Sequence, residues 1–247
     1  MFELSRDGAI ARLRMVRPEA RNAIPLQGWS ALADRAEAAE RGGALVLILS
    51  GEPGGIFCAG ADLSSFDRFR NEPEARAEFR QAIRNGLDRL RDLPIPTIAL
   101  VEGGSYGAGV AVAIACDIRV AGPGARFATT PAKLGISYPQ EDVHRLVSLV
   151  GPGQAARLLF GAHAVDGQEA ERIGLAELFS QDPAEAAEAL ARSIAGNELQ
   201  SLRTLKRSVA LASQNIVQDD EQDRIFDELL GSEPLFNRLE AHRQRRR

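Results

Sequence analysis

The sequence predicts an α/β core over residues 1–180 followed by a helical region over 181–247, and three observations predict it. Two apolar runs, 44–50 and 97–101, lack the polar alternation of a one-sided strand and read as strands buried on both faces. Each run leads into a glycine-rich stretch and then into apolar residues at helical spacing, the alternation of an α/β fold. From Pro183 onward the apolar residues recur at helical spacing only.

Taken in order, residues 2–16 alternate as a hairpin with Asp7-Gly8 as its turn. Residues 18–25 form a loop, and Pro25 suits the start of a helix reaching about residue 41, with Leu26, Trp29, Leu32, Ala33 and Ala36 on one stripe. The 44–50 strand enters a glycine-rich loop over 51–60. A long amphipathic helix is expected over 74–92, carrying Phe79, Ile83, Leu87 and Leu90 on one face, and Leu93-Pro94 ends it. The 97–101 strand, a glycine-rich turn, a small-residue helix over 108–116 and a strand from Ile118 make the most regular stretch of the chain. Residues 122–124 turn, and 127–138 read as irregular. Helices over 144–150 and 154–160 are separated by Gly151-Pro152-Gly153. Asp166 suits the N-cap of a helix over 167–173, and 176–179 is a short strand. Helices over 184–196, 198–213 and 219–230 follow, and no linker or repeat divides the chain.

The 247 residues suffice for one large domain, or for a core with an appendage. A net charge of −4 argues against a general nucleic-acid surface. Cys58 and Cys116 lie in small or apolar surroundings, without a CxxC spacing or a histidine beside them. That usage suggests a reduced, cytoplasmic protein with no metal site. The N-terminus carries Glu3, Arg6 and Asp7 rather than an apolar signal core, and no apolar run reaches the length of a membrane span.

Two stretches carry chemistry. Gly103-Gly104-Ser105-Tyr106-Gly107-Ala108-Gly109 lies between a strand and a helix, and Gly51 to Asp62 repeats that logic one strand earlier. Glycines let the backbone pass close to another object, and a helix starting on such a turn aims free N–H groups into the space above the sheet. Two such loops on successive strands could converge there, each supplying one backbone donor to a developing negative charge. The plainer alternative is a tight turn that packs an alanine-rich helix onto a sheet. A third reading is the G-x-S-x-G of a serine hydrolase, with Ser105 as nucleophile, Asp142 next in the chain and His144 or His163 as base.

The segments Phe57-Cys58-Ala59-Gly60-Ala61-Asp62-Leu63, Ile95 to Gly103, Cys116-Asp117-Ile118 and Ile173-Gly174-Leu175-Ala176 resemble the enoyl-CoA hydratase/isomerase (crotonase) superfamily, in order and spacing over nearly the whole chain. The resemblance implies a spiral of ββα repeats with C-terminal helices that build a homotrimer or hexamer. It implies a coenzyme A thioester as substrate and no other cofactor. The oxyanion donors it implies are the N–H groups of Ala61 and Ala108, the latter standing where glycine is usual. It also lays CoA across the 20–23 and 59–63 loops, with Ala23, Ala59, Ala61 and Leu63 beside it. Arg21, Lys206, Arg243, Arg245, Arg246 and Arg247 are then candidates for its phosphates, unless the tail is a solvated end.

The acid and base groups depart from the hydratase pattern. The two hydratase glutamates fall on Ala111 and Pro131, neither of which moves a proton. The segment through Tyr138 is similar to methylmalonyl-CoA decarboxylases, which implies that the tyrosine hydroxyl holds a departing carboxylate or protonates an enolate; Pro139 stands where those enzymes have asparagine. Glu141 and Asp142 occupy places where hydratases carry glycines beside the catalytic water, so either could act as acid or base, or both could cap the following helix. Asp62 and Asp117 read as backbone caps at element boundaries. Three functional readings result: a lyase acting by hydration or decarboxylation, a non-catalytic acyl-CoA binder, and the serine hydrolase.

Overall fold

The computed structural model describes residues 1–244. Its strands are β1 (Phe2–Asp7), β2 (Ile10–Met15), β3 (Val46–Ser50), β4 (Thr97–Val101), β5 (Gly104–Tyr106), β6 (Ile118–Ala121), β7 (Arg126–Ala128), β8 (Val165–Asp166) and β9 (Leu178–Phe179). Its helices are α1 (Gly28–Arg41), α2 (Pro73–Arg91), α3 (Ala108–Ala115), α4 (Gln140–Gly161), α5 (Gly167–Arg172), α6 (Pro183–Ala195), α7 (Leu199–Ser213), α8 (Asp220–Leu230) and α9 (Glu233–Gln244).

The expected hairpin closes with Asp7 opposite Ile10, and Gly8 takes the left-handed φ of 55° that the turn needs. From β2 the sheet grows by parallel pairing, in the order β1-β2-β3-β4-β6-β9. Parallel strands need crossover connections, and α1, α2 and α3 provide them. Successive side chains point to opposite faces, and this decides where each one is buried. Leu47, Leu49, Ala99 and Val101 face a main core shared with Trp29, Leu87 and the small-residue helix α3. Val46, Ile48, Ile98 and Leu100 face the other way and are covered by Ala187 and Ala191 of α6. The α/β layering therefore continues through α6, past the boundary expected at residue 180, and only α7 to α9 stand beyond it.

A second sheet of three short strands, ordered β5-β7-β8, stands beside the first. The sequence reading contained none of these strands, and α9 extends the C-terminal helices beyond the expected end at 230. The 144–160 region forms one helical stretch, α4, broken at Gly151, where φ is 75° and ψ 163°. No helix among the described residues is long and apolar enough to cross a membrane. Val209, Phe226 and Phe236 on α7 to α9 are exposed, as is Val217 between them.

Candidate active site

Hydrogen bonding brings the two glycine-rich loops together. Cys58 N–H donates to Gly104 O at 3.1 Å, and Tyr106 N–H donates to Cys58 O at 2.9 Å, so the 58–61 segment lies alongside β5. On its other edge, Ile24 N–H donates to Gly60 O at 2.8 Å and Asp62 N–H to Ile24 O at 2.9 Å. Two glycines permit this approach. A Cβ on Gly60, whose φ is 101°, would stand 2.7 Å from Tyr106 O and 3.1 Å from Ala108 N; one on Gly109 would stand 2.3 Å from Cys58 O. The residue before Ala61 therefore touches the backbone nitrogen of Ala108. Because Gly60 O and Asp62 N–H are turned toward Ile24, the Ala61 N–H is turned away from that edge. Neither the Ala61 nor the Ala108 N–H has a hydrogen-bond acceptor among the described residues.

Side chains brace these loops from behind. Cys58 Sγ lies 3.2 Å from Asn22 O and accepts from Gly60 N–H at 3.3 Å, and burial pushes its thiol up to about 12. Asn22 is buried with φ 57°; it accepts from Arg17 N–H and donates to Ile56 O and Phe57 O. Arg17 donates to Ala23 O at 2.9 Å and to Asp62 Oδ2 at 2.6 Å. Asp62 accepts from Ser64 N–H at the start of the 3-10 helix Leu63–Arg70, and this cap, aided by Arg17, holds its carboxyl down at about 2. The capping role expected of Asp62 is what its contacts show. Arg17 and Asn22 are not foreseen from sequence because each ties its own loop to the 56–62 segment, Arg17 through the Asp62 carboxylate and Asn22 through the carbonyls of Ile56 and Phe57.

Some expected CoA contacts are already occupied. The Ala23 N–H donates to Ala20 O and its carbonyl accepts from Arg17, while the Ala59 N–H donates to Arg21 O. Lys206 is tied down: its Nζ donates to Ile95 O at 2.9 Å and to Asp117 Oδ2 at 2.8 Å. The same Asp117 oxygen accepts from Thr97 N–H and Oγ1, so Lys206 belongs to a structural cluster rather than to a free phosphate site. Arg21 and Leu63 are exposed, Arg243 is exposed near the end of α9, and Arg245, Arg246 and Arg247 lie outside the described residues.

Ala111 and Pro131, where the resemblance puts the hydratase glutamates, are buried. Tyr138 is buried beside them and its hydroxyl donates to Gly107 O at 3.0 Å, one residue before Ala108. Burial, with the charge of Asp142 adding to it, keeps that phenol protonated well above its usual range. The adjacent acids part company. Glu141 is half-exposed, with Oε2 3.9 Å from Arg84 Nη1. Asp142 is buried, 3.4 Å from Arg145, and burial outweighs the nearby arginines to push its carboxyl up to about 6. Both acids line a cavity of about 80 Å³ together with Ile83, Arg84, Leu87 and Pro139. A larger open groove of about 550 Å³ between α1 and α2 includes neither candidate donor nor Tyr138 among its lining residues.

Ser105 lies within β5, fully buried, and its Oγ has no hydrogen-bond partner among the described residues. A nucleophile needs an exposed turn and a base within reach, so the geometry removes the serine-hydrolase reading. Among the described residues no three His, Cys, Asp or Glu side chains gather as metal ligands.

The chain matches the family described as enoyl-CoA hydratase/isomerase over residues 5–232. A mitochondrial methylglutaconyl-CoA hydratase of Mus musculus is 39% identical over 129 residues, which span 52% of this chain and 40% of that protein. A Mycobacterium bovis protein named probable enoyl-CoA hydratase echA6 is 32% identical over 176 residues, 71% of this chain and 69% of its own. The crystal structure of an enoyl-CoA hydratase/isomerase family protein from Hyphomonas neptunium superposes with a TM-score of 0.91 at 32% identity, covering 99% of this chain and 95% of the other.

Proposed function

The chain belongs to the enoyl-CoA hydratase/isomerase family, and from that premise we propose that it binds an acyl-CoA thioester through the N–H groups of Ala61 and Ala108. One observation supports this most: two uncommitted backbone donors sit on loops that touch at Gly60 and Ala108. Donors held in place before reaction cost no reorganisation as charge develops, and each is worth about 3 kcal/mol at an acyl carbonyl. They stabilise the enolate-like oxygen formed when a bond at the thioester α-carbon is made or broken. The exposed Arg21 and Leu63, with the carbonyls of Ala59 and Ala61, border the path left for CoA.

The family does not choose the reaction; the proton-moving groups do. With Ala111 and Pro131 in the glutamate places, two-carboxylate hydration lacks its acid and base. Tyr138 is a protic side chain bonded to the carbonyl just before Ala108. In a decarboxylation the bond between the α-carbon and its carboxylate breaks, carbon dioxide leaves, and the electron pair remains as enolate. A proton from the Tyr138 hydroxyl then reaches the α-carbon. Glu141 or Asp142 would serve instead to activate water in a non-standard hydration. Mass spectrometry of products from enoyl-, malonyl- and methylmalonyl-CoA esters separates these outcomes. Turnover of none, with tight binding retained, would establish the non-catalytic acyl-CoA binder favoured by the two lost glutamates.

The exposed apolar side chains of α7 to α9 favour a homotrimer or hexamer assembled through these helices. Light scattering of the full chain distinguishes either from a monomer.

A further inference from the structure

We propose that the acyl group accepted here ends in a carboxylate, bound by Arg84. The inference rests on the acyl-CoA reading and names its substrate class. Arg84 reaches from α2 into the cavity that begins one residue past Tyr138, whose hydroxyl bonds the carbonyl just before Ala108. Tyr138 thus stands between the proposed Ala108 donor and this cavity, and the proposed acyl chain runs past it toward Arg84.

The guanidinium is unequally used. Its Nε pairs with Asp88 Oδ2 at 2.6 Å, but its Nη1 is covered from solvent and has no hydrogen-bond acceptor among the described residues. The nearest anion on that side, Glu141 Oε2, is 3.9 Å away, within ion-pair range and beyond hydrogen-bond length. A buried guanidinium N–H without an acceptor is costly, and a planar carboxylate is the group that best meets it.

The neighbouring charges leave room for an incoming anion. Asp88 is shared among Arg84, Arg91 and Arg145, and Arg145 also faces Asp142. Glu141 is half-exposed, and its side chain must turn into solvent for an incoming carboxylate to reach the covered Nη1. Asp142, held near 6 by burial, can take up a proton and donate to the new carboxylate. Ile83 and Leu87 supply an apolar wall for the methylenes between thioester and carboxylate.

The test is calorimetric titration of the full chain with glutaryl-CoA and succinyl-CoA against butyryl-CoA. The carboxylated esters should bind at least tenfold more tightly than the neutral one. Arg84→Gln should bring that ratio close to one, Arg84→Lys should keep part of it, and Glu141→Gln should tighten glutaryl-CoA a few-fold. Thermal melts establish that each variant is folded. Equal affinities in the parent protein, or a ratio unchanged in Arg84→Gln, overturns the carboxylate assignment and leaves the thioester grip standing. Failure of all three esters to bind overturns the acyl-CoA reading, and this inference with it.

Discussion

The loops that carry Ala61 and Ala108 offer backbone N–H groups among alanine and glycine, whereas the cavity between α2 and α4 offers guanidinium and carboxylate side chains. The first region tolerates changes of side chain because a peptide N–H belongs to every residue except proline, but it cannot tolerate changes of shape. The second holds its shape on helices and depends on residue identity. Under the proposed function, the first region would carry the enolate chemistry and the second would select which enolate is made.

Substitutions at the two regions should separate shape from identity. The largest effect is expected at Gly109. Its Ala variant places a methyl group against Cys58 O and forces the loops apart, and kcat/KM should fall about 100-fold or more, as when an oxyanion donor is lost. Steady-state kinetics on whichever ester proves to be the substrate measures this, and a full-rate Gly109→Ala enzyme breaks the claim that loop contact sets the donors. Next comes identity: Tyr138→Phe, if the step is decarboxylation, or Glu141→Gln, if it is hydration, should lower turnover about tenfold or more with CoA binding intact, in the range of lost general acid–base help. If both keep full rates, the protic group lies elsewhere.

A smaller effect is expected on stability at Asp142. Its folded pKa is raised from 3.8 to about 6, so its contribution to stability is fully present below pH 4 and is lost as pH rises through 6. Asp142→Asn should therefore melt higher than the parent at pH 8, by roughly 1–3 kcal/mol, and show no such advantage below pH 4. A scanning-calorimetry series from about pH 3 to pH 8 reads the crossover. The smallest effect is expected at Ser105: removing an unpartnered buried hydroxyl in Ser105→Ala should change stability by less than about 1 kcal/mol and leave turnover unaltered. A fluorophosphonate probe should label neither protein.

What was legible in the sequence follows the same division. The strands at 46–50, 97–101 and 118–121 and the helices that cross between them came from apolar runs and helical spacing, because burial on two faces leaves a long local record. The three strands of the second sheet, two or three residues each, are too short for any period to show. Convergence of two glycine-rich loops was legible because glycine marks close backbone approach wherever it occurs in this pattern. The arginines were not. Arg17 reaches Asp62, Arg84 reaches Asp88 and Glu141, and Arg145 reaches Asp88, and only Asp88 lies on the same helix as Arg84. Lys206 has the charge to suit a phosphate, but its contacts with Ile95 and Asp117 fix it in the scaffold.

The meeting of Gly60 with Ala108 also has a consequence for assembly of the native state. The two proposed donors lie on separate loops, so a chain in which those loops have not met cannot present both to one oxygen. Any thioester that needs the pair binds the finished fold alone, and at 100 times its Kd such a ligand shifts unfolding by about 2.7 kcal/mol. Ligand-induced resistance to heat would thus report directly on whether the loops have closed together.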